Sequence, residues 1–370
     1  MTENTRRVLQ RDSNPHLFRR ITFRSVTARN RVMMSPMCQY SSTDGMLEEW
    51  HHVHLCSRAV GGAGIVFTEA THVSPEGRIT PHCLGIWTDE QRDAFKRTVE
   101  FISKQGAVPG IQIGHAGRKA STSRPWEGTQ SLPPSDPSGW QTIAPTDKPY
   151  DDWHPPLSMD TKMIERVLGD FNAAARRAYE AGFKLLEIHA AHGYLGHSFL
   201  SPLSNDRSDD YGGSLENRAR FLMETLDAVR DTWPPDLPLF LRLSCTDWVD
   251  GGLTTEDVVK VAGWISDRGD VDLIDCSSGG NHPSQQIPTH PGYQVPFADQ
   301  IKRHTGIRTA AVGLLHSPDF CEEIIANGRA DLIVLGRTLL TNPYWPLHAA
   351  TKLQSTNIDW PVQYERGKIF

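Results

Sequence analysis

Three side chains that can carry chemistry lie within six residues of one another at the end of an apolar stretch. LLEIHA at 185–190 continues into AHGYLGH, which places His189, His192 and Tyr194 side by side. Imidazole and phenol groups donate hydrogen bonds and exchange protons. The HxxH spacing could also serve a metal, but no third ligand follows at a matching spacing. The pattern therefore leaves two readings open, a polar reaction site and a metal site.

A further candidate is a cation inside an apolar strand. Arg242 lies in LFLRLSC at 239–245, where an unpaired guanidinium would be very costly. Its partner is either a buried carboxylate such as Glu69 or a ligand that becomes negative during reaction. Gln112, in GIQIGH, can donate to and accept from the edge of an amide-like ring.

Small residues and one cation follow the last two apolar stretches. Gly313 comes after IRTAAV, and Gly336 with Arg337 comes after ADLIVL. Small residues let backbone N–H groups approach a phosphate, and Arg337 can add charge. The alternative is that these glycines only form tight turns.

The elements that must position these groups follow one repeated pattern. A helical stretch ends near a glycine and a short apolar strand follows, as in AYEAGFKLLEIHA. Five strands follow this pattern and three further apolar strands bring the set to eight, which favours a closed (β/α)8 TIM barrel over an open doubly wound sheet, because no strand is followed by GxGxxG. Functional residues should then lie at the carboxyl ends of the strands. The predicted strands are 31–37, 64–70, 109–115, 185–191, 239–245, 273–279, 308–314 and 332–337.

The composition argues against several functions. The chain has 370 residues, a net charge of −6 and 38 % hydrophobic residues, which is typical of a soluble globular protein. It contains no block of Lys and Arg with interleaved aromatics, and no apolar run approaches the ~20 residues of a membrane span. The first residues, MTENTRRVLQRDSNPHLF, lack the apolar region of a signal peptide. We expect a cytoplasmic protein that binds small molecules and neither nucleic acid nor membrane.

The cysteine and histidine spacing does not favour a metal site. The six cysteines lie far apart with no CxxC pair, which predicts free thiols. WHHVHLC at 50–56 places His51 and His54 at helical spacing, but a His-rich helix face is more often structural than a ligand set. We therefore predict no metal.

Six further motifs lie on or after the predicted strands, from about residue 15 to the C-terminus. They are MSPMCQY, GIQIGHAGRKA, EIHAAHGYLGHSFLSPLSNDRSDDYGGSLENRARF, DLIDCSSG, TAAVGL and RADLIVLGRTLL. Together they resemble the old yellow enzyme family of ene-reductases, and Cys38, Tyr40 and the His/His pair resemble its thermophilic-like branch. The resemblance implies a tightly, non-covalently bound FMN that NADPH or NADH reduces. The reduced flavin would pass a hydride to an alkene conjugated to a carbonyl or nitro group.

The resemblance implies roles on the substrate side. His189 and His192 would hydrogen-bond the carbonyl or nitro oxygen and stabilise the developing enolate. Tyr194 would protonate the α-carbon. Cys38 would tune the redox behaviour of the flavin, and Tyr40 would contact substrate.

The resemblance also implies a set of flavin contacts. Gln112 would pair with the pyrimidine edge, and Arg242 would favour the anionic reduced ring. The full set is Ser35, Pro36, Met37, Cys38, Ala70, Gln112, Arg242, Ser278, Gly313, Gly336 and Arg337.

We predict a single FMN-binding TIM-barrel domain at 15–370, preceded by an N-terminal extension at 1–14. A Pro-, Gly- and Ser-rich segment at 116–157 is too long and too polar for an ordinary connection and is predicted to be a lid over the site. Its side chains Trp126, Trp140 and Trp153 either shape the substrate pocket or anchor the loop.

The C-terminal PVQYERGKIF resembles a tail that reaches a neighbouring subunit. By that analogy, Arg366 would contact substrate in the partner's site of a homodimer or homotetramer. Two other function classes stay open, a metal-dependent barrel hydrolase and a flavin-binding protein without a reductase role. A bound metal or flavin, and bleaching of the flavin by NADPH, would distinguish them.

Overall fold

Eight parallel strands close into a barrel within residues 14–368, the part of the chain described by this computed structural model. The extension predicted at 1–14 therefore lies almost entirely outside the described residues. In chain order the strands are β1 (Ile21–Phe23), β2 (Val26–Ala28), β3 (Val32–Met34), β4 (Ile65–His72), β5 (Val108–Gly114), β6 (Ile143–Ala144), β7 (Leu157–Ser158), β8 (Leu185–Ala190), β9 (Leu239–Ser244), β10 (Leu273–Ser277), β11 (Thr309–Ala311) and β12 (Leu332–Leu335).

Helices follow most of the barrel strands and cover the outside of the barrel. They are α1 (Glu49–Val60), α2 (Asp89–Lys104), α3 (Thr161–Glu180), α4 (Leu195–Leu200), α5 (Leu215–Arg230), α6 (Thr255–Arg268), α7 (Val295–Thr305), α8 (Pro318–Ala326), α9 (Arg337–Thr341) and α10 (Trp345–Lys352). Short 3-10 helices lie at His16–Phe18, Pro75–Gly77, Gly117–Lys119, Pro125–Glu127 and Val362–Gly367. None of the helices within 14–368 is both long and apolar enough to cross a membrane.

The barrel follows the order β3-β4-β5-β8-β9-β10-β11-β12 and closes from β12 back to β3. The antiparallel hairpin of β1 and β2 packs against the apolar lower layers of the barrel, where the Phe23 and Phe240 rings lie 4.9 Å apart. Because this apolar hairpin fills one end of the barrel, a polar site is left to the opposite end, at the carboxyl ends of the strands.

The (β/α)8 prediction is confirmed, and each of the eight predicted strands is present. Several strands are shorter than predicted: the stretch 273–279 forms a strand only over Leu273–Ser277, and 308–314 only over Thr309–Ala311. Beyond Ser277 and Ala311 the chain is irregular and no longer paired in the ladder. Glycines lie at helix ends as predicted, and Gly182 adopts the left-handed conformation with φ 95°.

The segment 116–157 is long but mostly irregular. It contains two of the 3-10 helices and β6, which pairs with β7 at its far end. Trp140 donates its Nε1–H to the carbonyl of Glu76 at 2.8 Å, so this side chain ties the segment to the loop after β4. Its function as a lid stays a prediction.

Candidate active site

Polar side chains from neighbouring strands meet at the mouth of the barrel. His189 on β8 lies in register with Arg242 on β9, and Ala70 on β4 lies in register with Gln112 on β5. All four are buried. Strand pairing therefore brings together the candidate residues that lie far apart in the sequence.

The two histidines form a chain of close contacts. The backbone N–H of Ala191 donates to His189 Nδ1 at 3.2 Å, so a neutral His189 carries its ring proton on Nε2. His189 Nε2 lies 3.3 Å from His192 Nδ1. His192 Nε2 lies 2.7 Å from the hydroxyl of Ser277. A hydroxyl can donate or accept, so Ser277 allows His192 to carry its proton on Nδ1, beside the proton of His189.

Both imidazoles are held in the neutral form. Burial, reinforced by the positive charge of Arg242, keeps the pKa of His189 and of His192 well below the ordinary value. Neutral imidazoles can donate hydrogen bonds but bring no permanent charge. Two ring nitrogens 3.3 Å apart can both donate to one oxygen atom placed beside them.

Tyr194 is the residue that precedes α4, and its ring packs edge-on against His189 at 4.9 Å between centroids. It also packs against a small apolar cluster together with Cys38, Tyr40 and Trp140. Burial, and next the nearby Cys38, raise the pKa of Tyr194 well above its ordinary value, so the phenol keeps its proton. The structure thus brings Tyr194, Cys38 and Tyr40 to one side of the barrel mouth.

The groups beside Tyr194 are also protonated. Burial, then repulsion from Glu69, raise the pKa of the Cys38 thiol, and the neighbouring Cys38 is the main cause of the raised pKa of Tyr40. Trp126 is exposed, although its ring lies 5.9 Å from that of Tyr40. This side of the mouth presents neutral hydrogen-bond donors.

Arg242 is paired inside the barrel, but not with Glu69. Its Nε lies 3.2 Å from Asp275 Oδ2 on β10, and its Nη1 donates to the Ser35 hydroxyl at 3.3 Å, across the barrel from β9. Glu69 instead faces His51 on α1. The suggestion that Glu69 pairs with Arg242 is therefore wrong, because Asp275 is the carboxylate in register with Arg242 on the adjacent strand.

A second buried carboxylate holds Gln112. Gln112 Nε2 donates to Glu187 Oε1 at 2.8 Å, which leaves the amide oxygen of Gln112 for another partner. Burial and the nearby Asp275 raise the pKa of Glu187 to about 8. Sequence analysis missed Glu187 and Asp275, although each is a charge inside an apolar strand, the signal that singled out Arg242.

A cavity of about 440 Å³ opens beside these groups at the ends of β11 and β12. Gly313, Gly336 and Arg337 line it together with Arg242. Arg337 is exposed and has no ion-pair partner among residues 14–368. A Cβ at Gly336 would lie 3.6 Å from Met37 Sδ, so the first and last barrel strands border the same space.

The donor set at this cavity fits a phosphorylated flavin. The Arg337 guanidinium and the small residues suit a phosphate, and Gln112 with Arg242 presents an amide and a cation to a polar ring edge. Ser278 donates to Gln294 Oε1 at 2.6 Å, and Gln294 lines the cavity, so Ser278 supports the wall. Ser35, Pro36 and Met37 lie on the loop that follows β3.

Lys119 is a further residue at the site that sequence analysis missed. Its Nζ donates to the carbonyl oxygens of His192 at 3.0 Å and Gly280 at 2.7 Å. Burial lowers the pKa of Lys119 to about 7. His192 has φ 59°, a strained conformation for a non-glycine residue, and Lys119 fixes the carbonyl of that residue.

Two predicted groups lie apart from this assembly. Arg366 is exposed on the 3-10 helix Val362–Gly367, and the same turn packs by Tyr364 against Tyr344, 5.9 Å between ring centroids. The histidines of WHHVHLC do not converge on a common point: His51 faces Glu69, while His52 contacts Thr98 Oγ1 at 2.9 Å. Residues 14–368 hold no group of three or more His, Cys, Asp or Glu side chains arranged to hold a metal ion.

Comparison with known proteins agrees with this site. Residues 16–356 match the model of the NADH:flavin oxidoreductase / NADH oxidase family. The chain is 48 % identical over 360 residues to NADPH dehydrogenase of Geobacillus thermodenitrificans (strain NG80-2), covering 96 % of this chain and 100 % of that one.

Solved structures show the same architecture. Morphinone reductase in complex with tetrahydroNAD superposes with a TM-score of 0.77 at 26 % identity, covering 92 % of each chain. The old yellow enzyme homologue from Zymomonas mobilis gives a TM-score of 0.75 at 26 % identity, covering 96 % of this chain and 98 % of that one.

The fold and the matches define the class: an oxidoreductase on a (β/α)8 barrel that uses FMN and a reduced nicotinamide nucleotide. The chain belongs to the NADH:flavin oxidoreductase / NADH oxidase family, and its resemblance to the old yellow enzymes is confirmed.

Proposed function

We propose that the protein is an ene-reductase that uses NADPH or NADH to reduce the activated C=C bond of α,β-unsaturated carbonyl or nitro compounds. The observation that carries this proposal is the 3.3 Å approach of His189 Nε2 and His192 Nδ1 beside the protonated phenol of Tyr194. This arrangement suits a substrate that gains negative charge on an oxygen and then needs a proton two atoms away.

His189 and His192 bind and polarise the substrate oxygen. Each donates one N–H to it, and the bonds strengthen as the oxygen takes on enolate character. The neutral rings match this task because a neutral donor does not protonate the oxygen prematurely. Ser277 orients His192 through its far nitrogen, and Lys119 holds the carbonyl of the same residue.

Tyr194 holds the proton for the α-carbon. Its raised pKa keeps the phenol protonated, and its contact with His189 places it next to the bound oxygen. Cys38 and Tyr40 would contact the substrate from the same side, and Trp140 of the segment 116–157 packs against the same apolar cluster. We propose that this segment acts as a lid whose Trp140 shapes the substrate pocket.

The flavin contacts follow from the cavity. Gln112, positioned by Glu187, and Arg242, positioned by Asp275, would hold the polar ring edge, and Ser35, Pro36, Met37, Cys38 and Ala70 would border the ring. Gly313, Gly336 and Arg337 would hold the phosphate, with Ser278 behind them. When bound, FMN supplies the two-electron carrier between the nicotinamide and the alkene. The chain's own residues bind and orient the two substrates in turn at one mouth.

The C-terminal tail supports a homo-oligomer. Val362 is 78 % exposed and Tyr364 is 41 % exposed, while Arg366 has no ion-pair partner among residues 14–368. We propose that Arg366 reaches the substrate side of a neighbouring copy in a homodimer or homotetramer.

The test is turnover by the purified holoenzyme on cyclic enones, maleimides and nitroalkenes under anaerobic conditions. The proposal expects NADPH oxidation matched one to one by the saturated product, with Tyr194→Phe slowing product formation. The proposal would be overturned if the enzyme oxidises NADPH anaerobically with other electron acceptors but forms no saturated product from any of these alkenes.

A further inference from the structure

One histidine of the WHHVHLC motif faces the site rather than the solvent. His51 Nε2, near the start of α1, lies 3.1 Å from Glu69 Oε1 on β4, and both side chains are almost fully buried. The backbone N–H of Glu48 donates to His51 Nδ1 at 3.0 Å, so the ring proton of His51 lies on Nε2 and faces the carboxylate. The contact is an electrostatic one between an imidazole N–H and a buried carboxylate.

The other oxygen of Glu69 holds the loop after β3. The backbone N–H of Gln39 donates to Glu69 Oε2 at 3.1 Å, and the backbone N–H of Tyr40 also hydrogen-bonds to the carboxylate. Tyr40 has φ 51°, the left-handed conformation that a bulky residue avoids without support. We call residues Cys38–Tyr40 the 38–40 turn.

A bulge in β4 aims Glu69 at this turn. The register between β4 and β5 shifts between Phe67 and Ala70, and the hydroxyls of Thr68 and Thr71 each donate to the carbonyl of Glu69 at 2.9 Å. A bulge beside a site commonly redirects a side chain. Here it turns Glu69 away from the barrel ladder and towards His51 and the 38–40 turn.

The turn carries two groups of the site. The Cys38 sulfur hydrogen-bonds to the backbone of Ala70 and to Tyr40, and both side chains pack in the cluster that contains Tyr194. We propose that the His51–Glu69 contact is a positioning device that holds the 38–40 turn in its strained conformation and so presents Cys38 and Tyr40 to the substrate. The predicted effect of this contact on enone turnover rests on the proposed ene-reductase function, whereas its predicted effect on the conformation of the 38–40 turn does not.

The matched control lies one turn further along α1. His54 is also buried, and its Nε2 has no hydrogen-bond partner among the described residues. Replacing it by leucine removes an imidazole from the same helix without touching Glu69. His51→Leu removes the Nε2–H, and His51→Gln keeps a side-chain N–H that can reach the carboxylate.

The experiment measures the rate at which iodoacetamide alkylates Cys38 in the holoenzyme, read by mass spectrometry of its peptide, together with hydrogen exchange of the peptide that contains residues 38–46. In His51→Leu we expect alkylation to rise about fivefold or more and the Gln39 and Tyr40 amides to lose protection, because the turn opens more often. The KM for a cyclic enone should rise about tenfold with little change in kcat. His51→Gln and His54→Leu should resemble wild type.

Wild-type rates and wild-type exchange in His51→Leu would overturn the proposal, as would an equal effect of His54→Leu, which would mean that helix packing alone is responsible. If His51→Leu does not fold, Glu69→Gln supplies the same test, because the neutral amide offers one acceptor oxygen to three donors and should loosen the turn. Should no alkene be turned over, the alkylation and exchange results still decide the positional claim.

Discussion

The hydroxyl of Ser277 lies 2.7 Å from His192 Nε2, on the far side of the ring from the His189 contact. Because a hydroxyl can accept as well as donate, this contact allows the proton of His192 to lie on Nδ1, towards His189. Ser277 comes from β10, whereas His192 follows β8, so the contact depends on the packing of strands that are not neighbours.

Ser277→Ala should weaken binding and reduction of an enone. Without the hydroxyl, His192 loses the partner that lets Nδ1 carry the proton towards the substrate. The loss of one such hydrogen bond predicts a decrease of about tenfold in kcat/KM. The measurement is the steady-state rate of enone reduction. The control is the rate at which NADPH reduces the bound flavin in the absence of enone. An unchanged kcat/KM for the enone would contradict this role.

His189, His192 and Tyr194 should contribute nothing to the pH dependence of enone oxidation of the reduced enzyme between the ordinary pKa values of histidine and tyrosine, about 6.5 and 10. The site groups that titrate there are Lys119 and Glu187, with pKa values shifted to about 7 and about 8. The pKa of each histidine lies well below its ordinary value and that of Tyr194 well above, so none of the three changes protonation in that range. Stopped-flow measurements across this range test it. An inflection near pH 6.5 that disappears in His192→Asn would show that an imidazole titrates.

Glu187→Gln should flatten the pH dependence of stability of the FMN-free protein. Because the pKa of Glu187 is raised from 4.5 to about 8 in the folded state, the folded protein keeps a proton that the unfolded chain releases between these values. Wild-type stability from this group therefore falls as pH rises from about 4.5 to 8, by up to ~1.4 kcal/mol per pH unit. Urea unfolding at several pH values measures the slope. Equal slopes in wild type and variant would contradict the assignment.

Tyr194→Phe should slow alkene reduction by about 10²-fold, since a general acid commonly contributes 10²–10⁴-fold. Tyr40→Phe is the matched comparison, because it removes a phenol from the same apolar cluster without the contact to His189. We expect a smaller effect from Tyr40→Phe. If the two variants lose the same activity, Tyr194 is not the specific proton donor.

The sequence allowed the barrel and much of the site to be predicted for physical reasons. A strand buried on both sides appears in the sequence as a continuous apolar run, and a glycine at the end of the preceding helix often marks where that strand begins. The strand positions therefore placed His189 and Arg242 at the barrel mouth. The partner of Arg242 did not follow. Asp275 and Glu69 both lie in apolar strands, and only strand register, with Arg242 opposite Asp275, decides between them.

Contacts between distant loops were also beyond sequence reasoning. Lys119 bonds to the carbonyls of His192 and Gly280, and His51 reaches Glu69 through a bulge that no spacing rule predicts. Such contacts depend on backbone carbonyls and local strain, for which side-chain patterns carry no signal.

The most direct test of the account is a double-mutant cycle on His189 and His192, measured as the anaerobic rate of enone reduction by pre-reduced enzyme. If both rings donate to the same oxygen, each alanine variant loses about 10²–10³-fold, and the double variant loses clearly less than the product of the two. Full activity in either single variant, or losses that multiply as independent effects, would contradict the shared oxygen.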